Sequence, residues 1–363
     1  MIYAALRKMN SGTRRKRRWN TELPIWVQCQ RGEDLPPTLR SGETLRDRYK
    51  IREQIGQGGT GSIYLADDTR LQGRLCALKE VEHNQALPDD IFKQAREQFF
   101  REASVLARLD HPNLPKVSDF FSEGPRDYLV MDFVPGKDLR ERMQEARRRK
   151  DFLSEKEVMR WAVQIADALS YLHHQNPPII HRDIKPSNLK ITPSGLIKLV
   201  DFGLVKIMAP DEVTITIIHG QGTAHYTPLE QYGGDDTHTD PRADIFSFGA
   251  TLYHLLTNEP PAEARKRFLD TRSLVPPREL NPHLSSQVEK AILWAMSLHP
   301  DNRPKSVFDF RDALLGKIQT PTTSALDGTN FDAPHFSIYT AEQVAGYTAI
   351  GLFLIGWIAT LLR

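Results

Sequence analysis

The stretch IGQGGTGSIYLA, residues 55–66, constrains the fold more than any other part of this sequence. Gly56, Gly58 and Gly61 follow the pattern G-x-G-x-x-G, with Gly59 beside them, and such loops bring backbone N–H groups close to a phosphate. Two kinds of fold use that loop. In a dinucleotide-binding unit the glycines open a helix whose N-terminus faces the pyrophosphate. Here Gly61 is followed by Ser62-Ile63-Tyr64-Leu65-Ala66, and β-branched and aromatic residues prefer a strand. Glu80 stands at a tempting distance for a ribose contact, but no helix pattern lies between. The loop is therefore expected to be the tip of a hairpin folded over phosphate.

The periodicities around it support a strand-rich beginning and a helical remainder. YKIREQIGQ, GSIYLADD and RLCALKEVE are short runs of alternating or β-branched character separated by turn residues, which predicts consecutive antiparallel strands. Phe92, Ala95, Phe99, Ala103, Leu106 and Leu109 recur at spacings of three and four, predicting a helix over about 91–109. YLVMDFV, residues 128–134, predicts another strand. Over 154–174, Val158, Trp161, Ile165, Leu169 and Leu172 make one helical face, with Ser154 as cap and Glu157 completing a capping box. Further helices are expected near 244–257 and 285–298. Strands first and helices later predict a small sheet lobe followed by a larger helical lobe.

Three short motifs then supply chemistry. CALKE places Lys79 on the strand after the hairpin, two residues beyond Ala77. HRDIKPSN supplies His181, Arg182, Asp183, Lys185 and Asn188, and LVDFG supplies Asp201, Phe202 and Gly203. Each is a plausible accident singly; the glycine loop and these three in this order are not. From about residue 50 to 315 the chain resembles the eukaryotic-like (Hanks-type) protein kinases, and the bacterial serine/threonine branch above all.

The resemblance implies an α+β fold of two lobes, a small antiparallel β lobe with one main helix and a larger, mostly helical lobe. The domain is expected over 49–316, with the small lobe at 49–131, a hinge at 132–134 and the large lobe at 135–316. The implied activity is transfer of the γ-phosphoryl group of ATP to Ser/Thr hydroxyls on proteins, with Mg²⁺ as the metal and Mn²⁺ able to replace it. Phosphoryl transfer is chiefly positioning and charge stabilisation. Lys79 is implied to hold the α- and β-phosphates, with Glu102 as its counter-charge. Glu102 lies on the 91–109 helix between Phe99 and Leu106, and an acid on an apolar face needs a partner; Glu97 is the competing choice. Asp183 is implied to orient the acceptor hydroxyl and take its proton. Lys185 would steady the γ-phosphate, and Asn188 and Asp201 would hold the metal. The adenine pocket would be framed by Ile55, Ile63, Ala77, Met131, Asp132 and Val134 beside the glycines.

Two positions depart from the family pattern. Lys190, in NLKI, falls where an apolar residue usually lies beneath the adenine, and its aliphatic stem could serve instead. The usual Ala-Pro-Glu is Pro-Leu-Glu here, with Glu230 retained and Arg303, in HPDNRP, as its expected partner. Asp244, in ADIFSFG, matches the family's buried anchoring acid. Arg182 next to Asp183 implies control by phosphorylation of the segment between Asp201 and Glu230, with Thr214 and Thr216 as candidate sites and Thr223 as the residue selecting a Ser/Thr acceptor. Self-association for phosphorylation in trans is a further expectation. A catalytically weak scaffold or signalling adaptor is the alternative reading, disfavoured because Lys79, Asp183 and Asp201 all stand.

The ends of the chain differ from its middle. Net charge is +2 overall, yet residues 1–50 carry 12 Lys/Arg against 5 Asp/Glu. RRKRR, residues 14–18, marks a solvated basic tail or a contact to anionic lipid; nucleic acid is not an expected partner. MIYAAL is too short and wrongly flanked for a secretory signal. Residues 1–48 are expected to be tail and linker. Cys29 and Cys76 are too few and too separated for a zinc site or a disulfide framework. Residues 317–343 form a second linker. VAGYTAIGLFLIGWIATLL, residues 344–362, is uncharged and long enough to span a bilayer as one helix, so a single-pass membrane protein with a cytoplasmic catalytic domain is expected.

Overall fold

The computed structural model describes residues 39–58, 61–82, 89–201, 206–207, 224–232 and 240–321. The chain separates into two compact units, Met1–Arg40 and Ser41–Arg363, and the elements below all belong to the second. The basic run, Gly59, the threonines Thr214, Thr216 and Thr223, and the apolar 344–362 stretch lie outside the described residues. Among the described residues no helix is long and apolar enough to cross a membrane.

The sheet lobe follows the strand reading. β1 (Thr44–Leu45), β2 (Tyr49–Gly58), β3 (Gly61–Asp68) and β4 (Leu75–Glu82) run in order, each antiparallel to the last. After α1 (Asp89–Leu106), β5 (Val117–Glu123) and β6 (Arg126–Asp132) complete a six-stranded sheet in the order β1-β2-β3-β4-β6-β5. One face of the sheet buries Ala77, Val81, Leu129 and Met131 in the main core with Phe99, Ala103 and Leu106 of α1. The other face is closed by aromatic rings: Tyr49 stacks on Phe121 at 5.7 Å, and Phe121 on Tyr128 at 5.2 Å. Cys76 is buried in that layer as a free thiol, and burial pushes its pKa up to about 11.

β7 (Lys137–Asp138) leads into the helical lobe, which the sequence reading covered less completely. α2 (Leu139–Arg148) carries the full capping box of the structure: Asp138 accepts from the Glu141 amide, and Glu141 accepts from the Asp138 amide. In α3 (Glu155–His173) Ser154 accepts from the Glu157 amide as expected. Glu157 itself extends to Arg142 at 3.5 Å, so only half of the predicted box is observed. Val158, Trp161, Ile165, Leu169 and Leu172 are all buried. β8 (Ile179–Ile180), β9 (Leu189–Ile191), β10 (Ile197–Leu199) and β11 (Lys206–Ile207) form two small sheets: β10-β9-β7 and β11-β8. α4 (Arg242–Thr257), α5 (Ala264–Leu269), α6 (Pro277–Leu280), α7 (Ser286–Ala295) and α8 (Val307–Leu314) complete the lobe. α4 is buried nearly all round, as a central helix must be. Its Gly249 is there for packing, because a Cβ would come within 2.9 Å of the Ala295 side chain on α7.

One buried ion pair ties the turn at Leu229–Gln231 to the end of the domain: Arg303 holds Glu230 through both terminal guanidinium nitrogens, at 2.6 and 3.0 Å. Arg303 is 2% exposed and also donates to the carbonyls of Ser297, Arg242 and Leu298, while its guanidinium lies 5.0 Å from the Phe246 ring centroid. Removing one partner of such a pair strands a buried charge. Arg303→Ala is expected to cost about 3–5 kcal/mol of stability, read by urea unfolding. A loss below about 1 kcal/mol would mean that Glu230 finds water or another cation.

Candidate active site

The nucleotide-sized cleft lies where the sheet lobe meets the helical lobe. It has a volume of about 660 Å³ and is lined from the sheet side by Ile55, Gly56, Gly61, Ile63, Ala77, Lys79 and Met131. Asp132, Phe133 and Val134 line its back, and Lys185, Asn188, Lys190, Val200 and Asp201 line the opposite wall. Register explains the first group. Gly56 pairs with Ile63, Ile63 with Lys79, and Ala77 with Met131, so register across four strands, β2, β3, β4 and β6, puts these positions on one face. The strands β2 and β3 pair as far as Gly58 opposite Gly61. Gly61 has φ +141, and a Cβ there would sit 2.0 Å from the Glu80 carbonyl oxygen; the glycine is required by the approach of β4. Gly56 carries no such constraint, since its Cβ would meet Ile63 at an ordinary 3.6 Å.

Lys79 is 5% exposed and forms an ion pair with Asp201 across the cleft. Burial opposes ionisation of Asp201, but Lys79, with Lys185 farther off, holds its carboxyl below the usual carboxylate range. Asp201 adopts φ +58, a left-handed conformation uncommon for a residue with a Cβ. Of the two acids proposed as counter-charge, Glu102 is 5% exposed on the inner face of α1, where it accepts from Gln98 Nε2 at 2.9 Å. Glu97 is exposed. Burial thus favours Glu102.

The loop between β8 and β9 carries the second cluster. One carboxylate oxygen of Asp183 accepts from Lys185 Nζ at 2.7 Å and Asn188 Nδ2 at 2.9 Å. Its other oxygen, Oδ1, is buried and accepts no hydrogen bond among the described residues. Asn188 Nδ2 also donates to the Asp183 carbonyl at 2.8 Å, and the Val200 amide donates to the Asn188 carbonyl at 2.8 Å. These bonds fix the loop against the strand leading to Asp201.

The loop is anchored from beneath by a residue on α4. Asp244 is fully buried and accepts from the His181 amide at 2.8 Å, the Arg182 amide at 2.8 Å and His173 Nε2 at 2.8 Å. Arg182 has φ +66, so the Asp244 contacts hold a strained turn directly before Asp183. Burial works against the charge on Asp244, but His173 and the amide donors hold its carboxyl below the usual 3.8. His181, also fully buried, has its pKa pushed down by desolvation.

A metal would find hard oxygen donors in the Asp201 carboxylate and the Asn188 carbonyl oxygen. That donor set suits Mg²⁺, which takes few protein ligands and keeps water and phosphate oxygens. The unsatisfied Asp183 oxygen and the ionised Asp201 fit a site that takes cationic and donor groups. Among the described residues there is no group of three or more His, Cys, Asp or Glu placed to hold a metal ion. At the far end of the cleft stand Arg140, His225, Tyr226, His254 and Pro260, which sequence reasoning did not single out. Tyr226 OH and His254 Nδ1 are 2.7 Å apart, and burial with nearby His225 pushes the His254 pKa down to about 4. No local pattern marks these residues; α4 brings His254 to the cleft.

A family comparison decides the identity of this arrangement: residues 49–314 match the protein kinase domain. The chain belongs to the protein kinase domain family. It is 36% identical over 282 residues to a probable serine/threonine-protein kinase of Clostridium acetobutylicum, covering 75% of this chain and 40% of that protein. It is 32% identical over 285 residues to the serine/threonine-protein kinase PknB of Mycobacterium leprae, covering 75% and 43%. Among solved structures, the PknI kinase domain of Mycobacterium tuberculosis aligns at a TM-score of 0.60 and 27% identity, over 77% of this chain and 99% of that domain. PpkA in its apo form aligns at 0.58 and 27%. The chain thus spans about 40% of the length of those two curated relatives, and nearly all of the PknI kinase domain.

Because Asp244 alone supplies acceptors to both amides of the strained turn, Asp244→Asn leaves one N–H facing an amide donor. The variant is expected to lose on the order of 3 kcal/mol at pH 7 by urea unfolding. The wild-type contribution is present above pH 3.8 and is lost as pH falls through the lower folded value, so the two proteins should converge in acid. Equal stability at pH 7 would sink the anchoring role.

Proposed function

We propose that this chain is a serine/threonine protein kinase that transfers the γ-phosphoryl group of ATP to hydroxyls of protein substrates. The observation that carries the reading is the Asp183 carboxylate, with one oxygen held by Lys185 and Asn188 and the other buried without a hydrogen-bond donor among the described residues. An acceptor Ser or Thr hydroxyl supplies the missing donor. Its oxygen attacks the γ-phosphorus, the bond from that phosphorus to the β–γ bridging oxygen breaks, and the hydroxyl proton passes to Asp183 as ADP leaves. Lys79 holds the α- and β-phosphates, and Lys185 neutralises the γ-phosphate. Glu102 supplies the buried acid that positions Lys79. Asp201 and Asn188 hold Mg²⁺, which when bound screens phosphate charge, and Mn²⁺ can take its place. Ile55, Ile63, Ala77, Met131, Asp132 and Val134 enclose the base, with Gly56, Gly58, Gly59 and Gly61 over the phosphates.

Asp183→Asn is expected to lower phosphate transfer to a generic protein acceptor by about 10²–10⁴-fold while ATP affinity changes little. Transfer at the wild-type rate would refute the role.

Regulation and location extend the proposal. Arg182 beside Asp183 supports activation by autophosphorylation at Thr214 or Thr216, in trans between two copies. Phosphate mapping after incubation with ATP and Mg²⁺ should find one of them modified, at a rate per molecule that rises with protein concentration. A fully active enzyme without phosphate in the segment would count against it. Residues 344–362 are proposed to anchor the chain in the cell membrane as a single pass, with the kinase domain on the cytoplasmic side where ATP is. Extraction of the full chain should need detergent, and truncation after Lys317 should abolish that need; extraction unchanged by truncation would remove the anchor.

A further inference from the structure

Lys190 puts a cation on the wall of the nucleotide cleft. Its strand β9 alternates: Leu189 is fully buried on the core side, and Lys190 projects from the other face and lines the cleft. The cross-strand neighbours on that face are Lys198 on β10 and Asp138 on β7. Lys198 is a like charge, which makes the pairing unfavourable, and its Nζ turns away to the Leu114 carbonyl at 2.9 Å. Asp138 caps α2 by accepting from the Glu141 amide at 2.8 Å; burial raises its pKa, and the nearby Lys190 charge works against that rise. The other lysines of the cleft are paired, Lys79 with Asp201 and Lys185 with Asp183. Lys190 has no carboxylate within ion-pair distance among the described residues. Its ammonium instead lies 5.9 Å from the centroid of the Phe133 ring, at the back of the cleft where Met131 and Val134 also line the wall.

We propose that the Lys190 ammonium is a nucleotide-contacting group at the base and ribose end of the cleft. It would meet the face of the bound purine as it now meets the Phe133 ring, by attraction of a cation to a π-surface with little competing water. The inference rests on the kinase reading and deepens it: it assigns affinity for the nucleoside part of ATP to a charge, where an aliphatic stem would offer only packing. The effect expected of the ammonium is on ATP affinity.

Lys190→Met keeps the stem and removes the charge. Isothermal titration of the full-length protein with ATP, adenosine and inorganic tripolyphosphate separates the parts of the ligand. The expected result is that Kd for ATP and for adenosine both rise by about 3–30-fold while tripolyphosphate binding is unchanged. Lys190→Arg should restore most of the loss. Unchanged ATP and adenosine affinity would show the ammonium idle and overturn the proposal. So would a loss seen with ATP and tripolyphosphate but not adenosine, since the charge would then serve the phosphates. A wild-type protein that binds no ATP overturns the kinase reading itself and this inference with it.

Discussion

A single buried carboxylate, Asp244, accepts two consecutive backbone amides and a histidine from α3, and the loop that carries Asp183 hangs from it. The geometry is costly in isolation. A charge is removed from water, and Arg182 is forced to φ +66. The cost is met because each acceptor oxygen finds a donor, so the ionised state is kept in spite of burial. The strained turn then delivers Asp183 on the cleft side, where Lys185 and Asn188 orient one of its oxygens. Thr251 on the same helix donates to the Ile184 carbonyl at 3.1 Å and steadies the other end of the turn.

The site is thus assembled from two rigid supports that know little of each other. The sheet lobe sets Lys79, Ala77 and Ile63 by strand register, and α4 sets Asp183 through Asp244. The ion pair of Lys79 with Asp201 joins them across the cleft. Such a pair between opposite walls holds charge ready for the phosphates and metal, which would replace the lysine on Asp201 by a cation of higher charge. Electrostatics, more than shape, is what the two lobes have in common here.

The legibility of the molecule follows from how far apart the interacting residues lie in sequence. The β2–β3 hairpin and α3 were readable because alternation, helical spacing and Ser154 act within a few residues. β5 was missed because a bulge between Val117 and Asp119 breaks its alternation. α2 is not picked out by sequence because Leu139, Met143 and Ala146, though spaced by four and three, are its only apolar residues in a short run crowded with Arg and Glu. The partner of Glu157 was misjudged since Arg142, on the neighbouring helix, competes for its carboxylate.

By itself the sequence determined the inventory of chemistry and its order: a glycine hairpin, then Lys79, Asp183, Asn188 and Asp201, with strands before helices. These are short-range patterns, and short-range sterics and hydrogen bonding decide them. The tertiary structure alone decided which charges meet: His173 with Asp244, Lys79 with Asp201, Arg142 with Glu157, and Lys190 with the Phe133 ring beside Asp138. Those outcomes depend on which side chains burial brings within a few ångströms of one another, and residues 122 positions apart, as Lys79 and Asp201 are, share no local pattern that could announce it.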